Sequence, residues 1–246
     1  MTTRSLEERV KSLEDIVKKQ GSIIEKQGKT IQVLDDINEV EKLMSRYVYM
    51  QSAGKEPEFP DTLFARNAPD VSWEVAHSGY YLGQESIRKV LNIEGTVHVG
   101  TGKMFLHTLT TPCIEIAADG KTAKGVWISP GTETLNDSAT GIKTGTWAWM
   151  KFGCDFIKED GVWKLWHYHV YRIFMTPCTQ NYTDEWELKL PKKEGGFLGN
   201  LAKPDGSPSF DNPYSQTFIN KMVPAPPEPY ETFSKTFSYG PDQKYN

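Results

Sequence analysis

The sequence predicts an α+β domain, a curved antiparallel sheet with helices on one face, carried between a solitary N-terminal helix and an extended C-terminal arm. Three observations lead there. The segment Trp147–Met175, WAWMKFGCDFIKEDGVWKLWHYHVYRIFM, places two runs of aromatic and β-branched residues around KEDG, and Asp160-Gly161 offers the positive-φ positions of a tight hairpin. The chain before it reads helix, helix, strand, helix and then two more long strands. The chain after Pro177 loses all period and becomes rich in proline and aromatic residues.

The first element spans Leu6 to about Leu34. Its apolar residues, Leu6, Val10, Leu13, Val17, Ile24, Ile31 and Leu34, follow steps of four and three with gaps at Gln20 and Gln27. That spacing is a coiled-coil seam, kept in register by the repeat IVKKQGS/IIEKQGK at 16–29. Gly21 and Gly28 each weaken the helix by about 1 kcal/mol relative to alanine. So thin a stripe predicts that residues 1–34 pair with a copy of themselves, giving a homo-oligomer, dimer or trimer. The alternative is a frayed helix lying on its own domain.

A second helix is expected to start at Asp35 or Asp36, either of which can cap it. Ile37, Val40, Leu43, Met44, Tyr47 and Val48 form its wider apolar face, and Gly54, Pro57 and Pro60 end it. A short helix about 61–66 leads to a strand over VSWEVA at 71–76. After a turn at Gly79, Gly83 opens an amphipathic helix over Gln84–Leu91. The strand MFLHTLTTPCIEIA at 104–117 bends at Pro112, because proline cannot donate within a sheet. Asp119-Gly120 turns the chain into a strand at 122–134, and LNDSATGIKTG connects it to the hairpin. The domain is placed at 35–190. The arm at 191–246 is expected to be pinned along the domain or a partner subunit by its aromatic residues.

Composition narrows the function. The net charge of −4 gives no basic footprint for nucleic acid or an anionic membrane. No apolar run is long enough to span a bilayer, and the polar start MTTRSLEERV lacks the hydrophobic stretch of a signal peptide, so a cytoplasmic protein is expected. Cys113, Cys154 and Cys178 form no CxxC pair and read as reduced structural thiols. No phosphate-cradling or dinucleotide-binding glycine motif is present, so no cofactor is expected. Aromatic residues make up 12% of the chain and crowd the hairpin, either as the floor of a large core or as walls for a flat apolar molecule.

His107 stands in an otherwise apolar strand, and an imidazole titrates near pH 6.5, where it can take or give a proton. Its alternative role is a buried histidine bonded to a backbone carbonyl. Tyr47 shares the apolar face of the second helix and has a phenol proton to donate, or else packs the core. Arg172, if inward, needs an anion or a developing oxyanion, or a salt bridge to Glu74, Glu133 or Asp155. His167 and His169, at i and i+2, share one face of a strand, but no third ligand follows at a metal-binding spacing.

Five strings, INEVEKLMSRYVYM, LFARNAPDVSWE, GYYLGQESIRKVL, MFLHTLTTPCIEI and DFIKEDGVWKLWH, occur in the order in which the SnoaL-like branch of the nuclear transport factor 2 (NTF2-like) superfamily carries similar segments. The resemblance covers about residues 35–175. It implies a cone-shaped α+β barrel whose open end holds a small molecule. Relatives of this kind include polyketide cyclases, dehydratases, steroid isomerases, cofactor-free lyases that deformylate lignin-derived diarylpropanes, and proteins without catalysis. By matching strings, the resemblance puts His107 at the pocket histidine, Tyr47 on the pocket side of the helix and Trp73 on the first strand. Trp127, Met150, Phe152, Tyr168 and Arg172 then line the cavity; the match turns His167 and His169 outward, a bulge would reverse that, and His169 is kept as a further candidate on that ground. Gln51 and Ser52 stand where many relatives have an Asp. The resemblance thus implies a cofactor-independent lyase acting on a hydroxylated aromatic molecule, by retro-aldol C–C cleavage or dehydration. A non-catalytic binding or assembly module, or an isomerase or cyclase in the same pocket, is the alternative.

Overall fold

The computed structural model describes residues 5–75, 78–136, 141–184 and 202–241, apart from the side chains of 93–98. The expected boundary between domain and arm, at 190/191, lies outside the described residues.

The first helix corrects the sequence reading. Helix α1 runs without interruption over Leu6–Ser52, and its N-cap is Ser5, whose hydroxyl accepts from Glu8 N while the Glu8 carboxylate accepts from Ser5 N. Asp36 does not cap a second helix. It is buried mid-helix, where its carboxylate accepts from Trp163 Nε1 at 2.8 Å and Lys158 Nζ at 2.7 Å, tying α1 to the hairpin. Below Leu34 the apolar side chains of the helix are exposed, and from Asp36 onward Val40, Leu43, Met44 and Tyr47 turn inward.

A 3₁₀ turn at Glu56–Glu58 and α2 at Phe59–Thr62 precede β1, Ser72–Val75. The segment expected to be only a turn at Gly79 forms a fourth short element, β2 at Gly79–Leu82, paired antiparallel with β1. Helix α3 spans Gly83–His98, longer than its apolar period indicated. The strand expected over 104–117 is two: β3, Phe105–His107, and β4, Thr110–Ile116. The break lies near the expected bend. Thr111 adopts φ 50°, and the register slips between Thr110 and Cys113, flanking Pro112. Strands β5 (Thr122–Asn136), β6 (Lys143–Glu159) and β7 (Val162–Pro177) form the long antiparallel centre. Asp160 and Gly161, at φ 49° and 79°, make the predicted tight turn between β6 and β7.

The sheet has the order β2-β1-β7-β6-β5-β3, with β4 also on β5. All pairings are antiparallel except β1 alongside β7, so the sheet is mixed where a purely antiparallel one was expected. Helices cover one face. The other is covered by the arm: Tyr230 and Tyr239 are buried, Phe233 packs on Trp166, and Tyr239 meets Gly153 of β6. This is the pinned arm that the aromatic content pointed to. No helix among the described residues is long and apolar enough to cross a membrane.

Candidate functional site

Alternation along the strands decides which side chains meet beneath the helices. On β5 the inward set is Ala123, Trp127, Ser129, Gly131 and Glu133, and on β6 it is Phe156, Cys154, Phe152, Met150, Ala148 and Thr146. On β7 two bulges intervene. Asp155 pairs with His167 and Phe156 with Leu165, so Trp166 is an extra residue. The inward set therefore changes from Trp163 and Leu165 to Tyr168, Val170 and Arg172. A second extra residue, Ile173, turns Met175 inward and Phe174 outward, where Phe174 stacks on Trp149.

The end nearer the hairpin is a closed aromatic stack. Tyr47 of α1 lies over Tyr168 with ring centroids 4.5 Å apart, Phe152 is 5.5 Å from Tyr168, and Trp127 meets Phe156 edge-on. The Trp73 indole N–H donates to the Tyr47 hydroxyl at 3.3 Å. Tyr47, Trp73, Trp127, Phe152 and Tyr168 are all essentially solvent-free.

The other end is polar. His107 of β3 is opposite Gly131, whose missing side chain makes room for the imidazole. Its Nε2 is 3.0 Å from Glu133 Oε1 and its Nδ1 is 3.3 Å from Ser129 Oγ, with all three residues buried. An ionised carboxylate only accepts, so with Glu133 ionised Nε2 carries the proton and Nδ1 is left as the basic nitrogen beside the Ser129 hydroxyl. Ser129, Met150 and Arg172 occupy one cross-strand row. At the spacing of neighbouring strands, the Ser129 and Arg172 backbones are about 10 Å apart. Met150 floors the interval. Arg172 Nη2 donates to the Asp211 carboxylate of the arm at 3.2 Å, while its buried Nε has no hydrogen-bond partner among the described residues. Asp211 was not among the partners weighed for this arginine.

The structure thus brings His107, Met150 and Arg172 to neighbouring rows and sets Tyr47, Trp73, Trp127, Phe152 and Tyr168 deeper in the core. Gln51 is buried one turn beyond Tyr47 on α1. His169 lies on the opposite face. It stacks on Tyr171 at 3.8 Å, has Nε2 3.4 Å from Glu74 Oε1, and its pKa is pushed down to about 3 by burial in spite of a hydrogen bond to the Tyr239 backbone carbonyl. It cannot line a cavity under the helices. Ser129 and Glu133 were missed as site residues, although SPGTE continues the inward alternation from Trp127 in steps of two.

A second buried charge cluster sits under the arm. Asp155 accepts from Lys124 Nζ at 2.5 Å and from His167 Nδ1, Ser238 Oγ and Tyr239 N, each at 2.8 Å. Burial alone would raise the Asp155 pKa, but His167 and Lys124 outweigh it and hold it below the usual carboxylate value. Burial likewise opposes the charge on His167, but hydrogen bonds to Asp155 and Asp70 hold its pKa above the ordinary imidazole value.

The class that these observations define is an α+β domain whose curved sheet has one helix-roofed face, aromatic at one end and carrying a buried histidine–carboxylate pair at the other. The chain belongs to the SnoaL-like domain family, whose model matches residues 32–169. Among solved structures it is similar to LinA, at 16% identity over 63% of this chain and 97% of LinA, with a TM-score of 0.51. It is also similar to the hexachlorocyclohexane dehydrochlorinase LinA-type3 from Novosphingobium barchaimii LL02, at 17% identity over 61% of this chain and 94% of that one, TM-score 0.47. An NTF2-like superfamily protein from Salmonella enterica follows at 19% identity over 61% and 96%, TM-score 0.43. No curated protein sequence matches the chain.

Proposed function

We propose that the protein is a cofactor-independent lyase acting on a hydroxylated aromatic small molecule. The observation that supports this most directly is His107 held between Glu133 and Ser129 at the end of the helix-covered face where Met150 and Arg172 lie in the next row. Cofactor-free elimination needs a base, a stabiliser for charge on oxygen and an apolar surround that keeps water away. In this reading His107 Nδ1 takes the proton, directly or through the Ser129 hydroxyl. Glu133 keeps the ring in the Nε2–H tautomer and stabilises the imidazolium that forms. Arg172 faces the oxygen on which negative charge grows.

Two reactions use this arrangement. In retro-aldol cleavage a substrate hydroxyl gives its proton to His107, the adjacent C–C bond breaks, formaldehyde leaves, and the electron pair passes to the aryl-bearing carbon before protonation. In dehydration His107 removes a proton from carbon, the C–H electron pair forms the double bond, and the neighbouring hydroxyl departs as water by taking that proton back from the His107 imidazolium. We favour the first. The first helix offers Gln51 and Ser52 in place of a carboxylate there, and the pair to His107 comes from β5 instead.

The test is incubation of the purified protein with a panel of hydroxylated aromatics that includes diarylpropane diols, read by mass spectrometry. Release of formaldehyde supports C–C cleavage, and loss of water alone supports the dehydratase. His107→Ala is expected to lower turnover by about 10²–10⁴-fold, the usual scale of general acid–base catalysis. Glu133→Gln is expected to lower kcat with little change in KM. No turnover across the panel, with the same ligands still binding, would replace the lyase with a binding module.

A further inference from the structure

We propose that residues 6–34 form a parallel, two-stranded coiled coil with a second copy of this chain, and that Gly21 and Gly28 are sockets for isoleucines of that copy. The seam reads as an unbroken heptad pattern. Val10, Val17, Ile24 and Ile31 take one core position, and Leu6, Leu13, Gln20, Gln27 and Leu34 take the other. β-Branched residues at all four first positions and leucine at three of the five second positions favour two parallel strands, a finer distinction than spacing alone provides.

The seam is open. Leu6 is 73% exposed, Leu13 60% and Ile24 66%. With 3.6 residues per turn it lies roughly opposite the face by which Asp36, Val40 and Tyr47 pack on the domain, so a partner helix meets no part of its own subunit's sheet. At 1.5 Å per residue the seam is about 43 Å long. It stops where the heptad positions become Asn38, Glu41 and Ser45, all exposed.

The flanking positions identify the occupant. In a parallel pair, the residue before each first-core position faces the partner's residue five places on. That sets Arg9 against Glu14 of the second copy, opposite in charge. It sets Ile16 against Gly21 and Ile23 against Gly28. Both isoleucines are 48% exposed in the single chain, and both glycines have nothing within 4 Å of where a Cβ would stand. The repeat that weakens an isolated helix therefore makes two matching cavities for it in a dimer. A copy of the same chain supplies both halves of each pair, which an unrelated helix would not.

The test uses the full-length protein. Light scattering is expected to give twice the 27.9 kDa chain mass, and Val17→Asp/Ile24→Asp to halve it while the circular dichroism of the domain persists. A Val10→Cys variant in a Cys113→Ser/Cys178→Ser background is expected to form a reducible disulfide dimer, because matched positions adjoin only in a parallel pair. A monomeric or trimeric mass, a double variant of unchanged mass, or a dimer that fails to cross-link at position 10 overturns the proposal.

Discussion

Replacing Asp155 by Asn tests whether the arm is held by charge. The carboxylate has no solvent exposure and neither has Lys124, whose ammonium contacts it at 2.5 Å. Around Lys124 Nζ stand the rings of Phe233, Phe237, Tyr239 and Tyr230, at 4.6, 4.8, 5.1 and 5.9 Å, all from the arm. Asparagine keeps the shape, removes the counter-ion, and turns an NH₂ toward one group of donors. Removing one member of a buried ion pair costs about 3–5 kcal/mol, because the other is left uncompensated. Cation–π contacts contribute about 0.5–2 kcal/mol and do not replace the lost carboxylate. For a chain of this size 1 kcal/mol moves Tm by about 2–4 °C, so D155N is expected to melt about 6–20 °C lower. The assay is thermal unfolding by circular dichroism, with limited proteolysis reporting arm release. Adding Lys124→Met, which removes the stranded charge, is expected to recover a large part of the loss. A drop under about 2 °C, the size of an ordinary surface change, or a double variant no better than D155N, would refute the reasoning.

Two further outcomes are expected. The pKa of His167 is raised, so the stability it contributes is complete below about pH 6.5 and is lost as pH rises through its folded value. Asp155 is lowered and Asp70 is lowered to about 2, the latter chiefly by His167, so their contributions are present above about pH 3.9 and fade as pH falls. Hydrogen exchange at the Tyr239 amide, which donates to Asp155, should therefore be slowest between these limits, and His167→Gln should remove the alkaline loss; an exchange rate that ignores pH beyond its intrinsic dependence counts against this. At Gly131 an added Cβ would overlap the His107 ring, so Gly131→Ala should displace the imidazole from Glu133 and abolish turnover. The fold is expected to persist at a cost of about 1–3 kcal/mol for overpacking, and an unchanged His107 tautomer by ¹⁵N NMR would contradict the prediction.

What could be read from the sequence was local. Asp160-Gly161 forces a tight turn by backbone conformation alone, and the aromatic and β-branched runs beside it have no better use than a sheet, so the hairpin was legible. Asp36 was misread because a carboxylate that can cap a helix can equally accept from distant donors, and Trp163 Nε1 and Lys158 Nζ lie more than a hundred residues away in the chain. The GYYL strand was missed because its pairing with β1 depends on a neighbour that periodicity does not reveal. His107 was legible as a polar residue in an apolar strand. Its partners were not, since Ser129 and Glu133 belong to a strand whose register against β3 is fixed only when the sheet assembles.

The two faces of the sheet offer an internal comparison for function. Each carries a buried histidine against a carboxylate, at 3.0 Å for His107–Glu133 and 2.8 Å for His167–Asp155. A buried pair by itself therefore separates nothing, because structural networks and active sites both contain them. What separates them is saturation. Asp155 accepts from four groups, and the rings of the arm close over its lysine, so no substrate atom can enter without removing the arm. Across the sheet, His107 has a serine hydroxyl on its basic nitrogen, which can exchange that bond for one to a ligand. The Arg172 guanidinium one strand beyond Met150 bonds Asp211 through Nη2 and has a buried Nε–H with no hydrogen-bond partner among the described residues. A buried donor left without a partner costs free energy, so such a group favours any ligand atom able to accept from it. That asymmetry supports the proposed assignment of chemistry to the helix-covered face, while the charged cluster on the other face holds the arm.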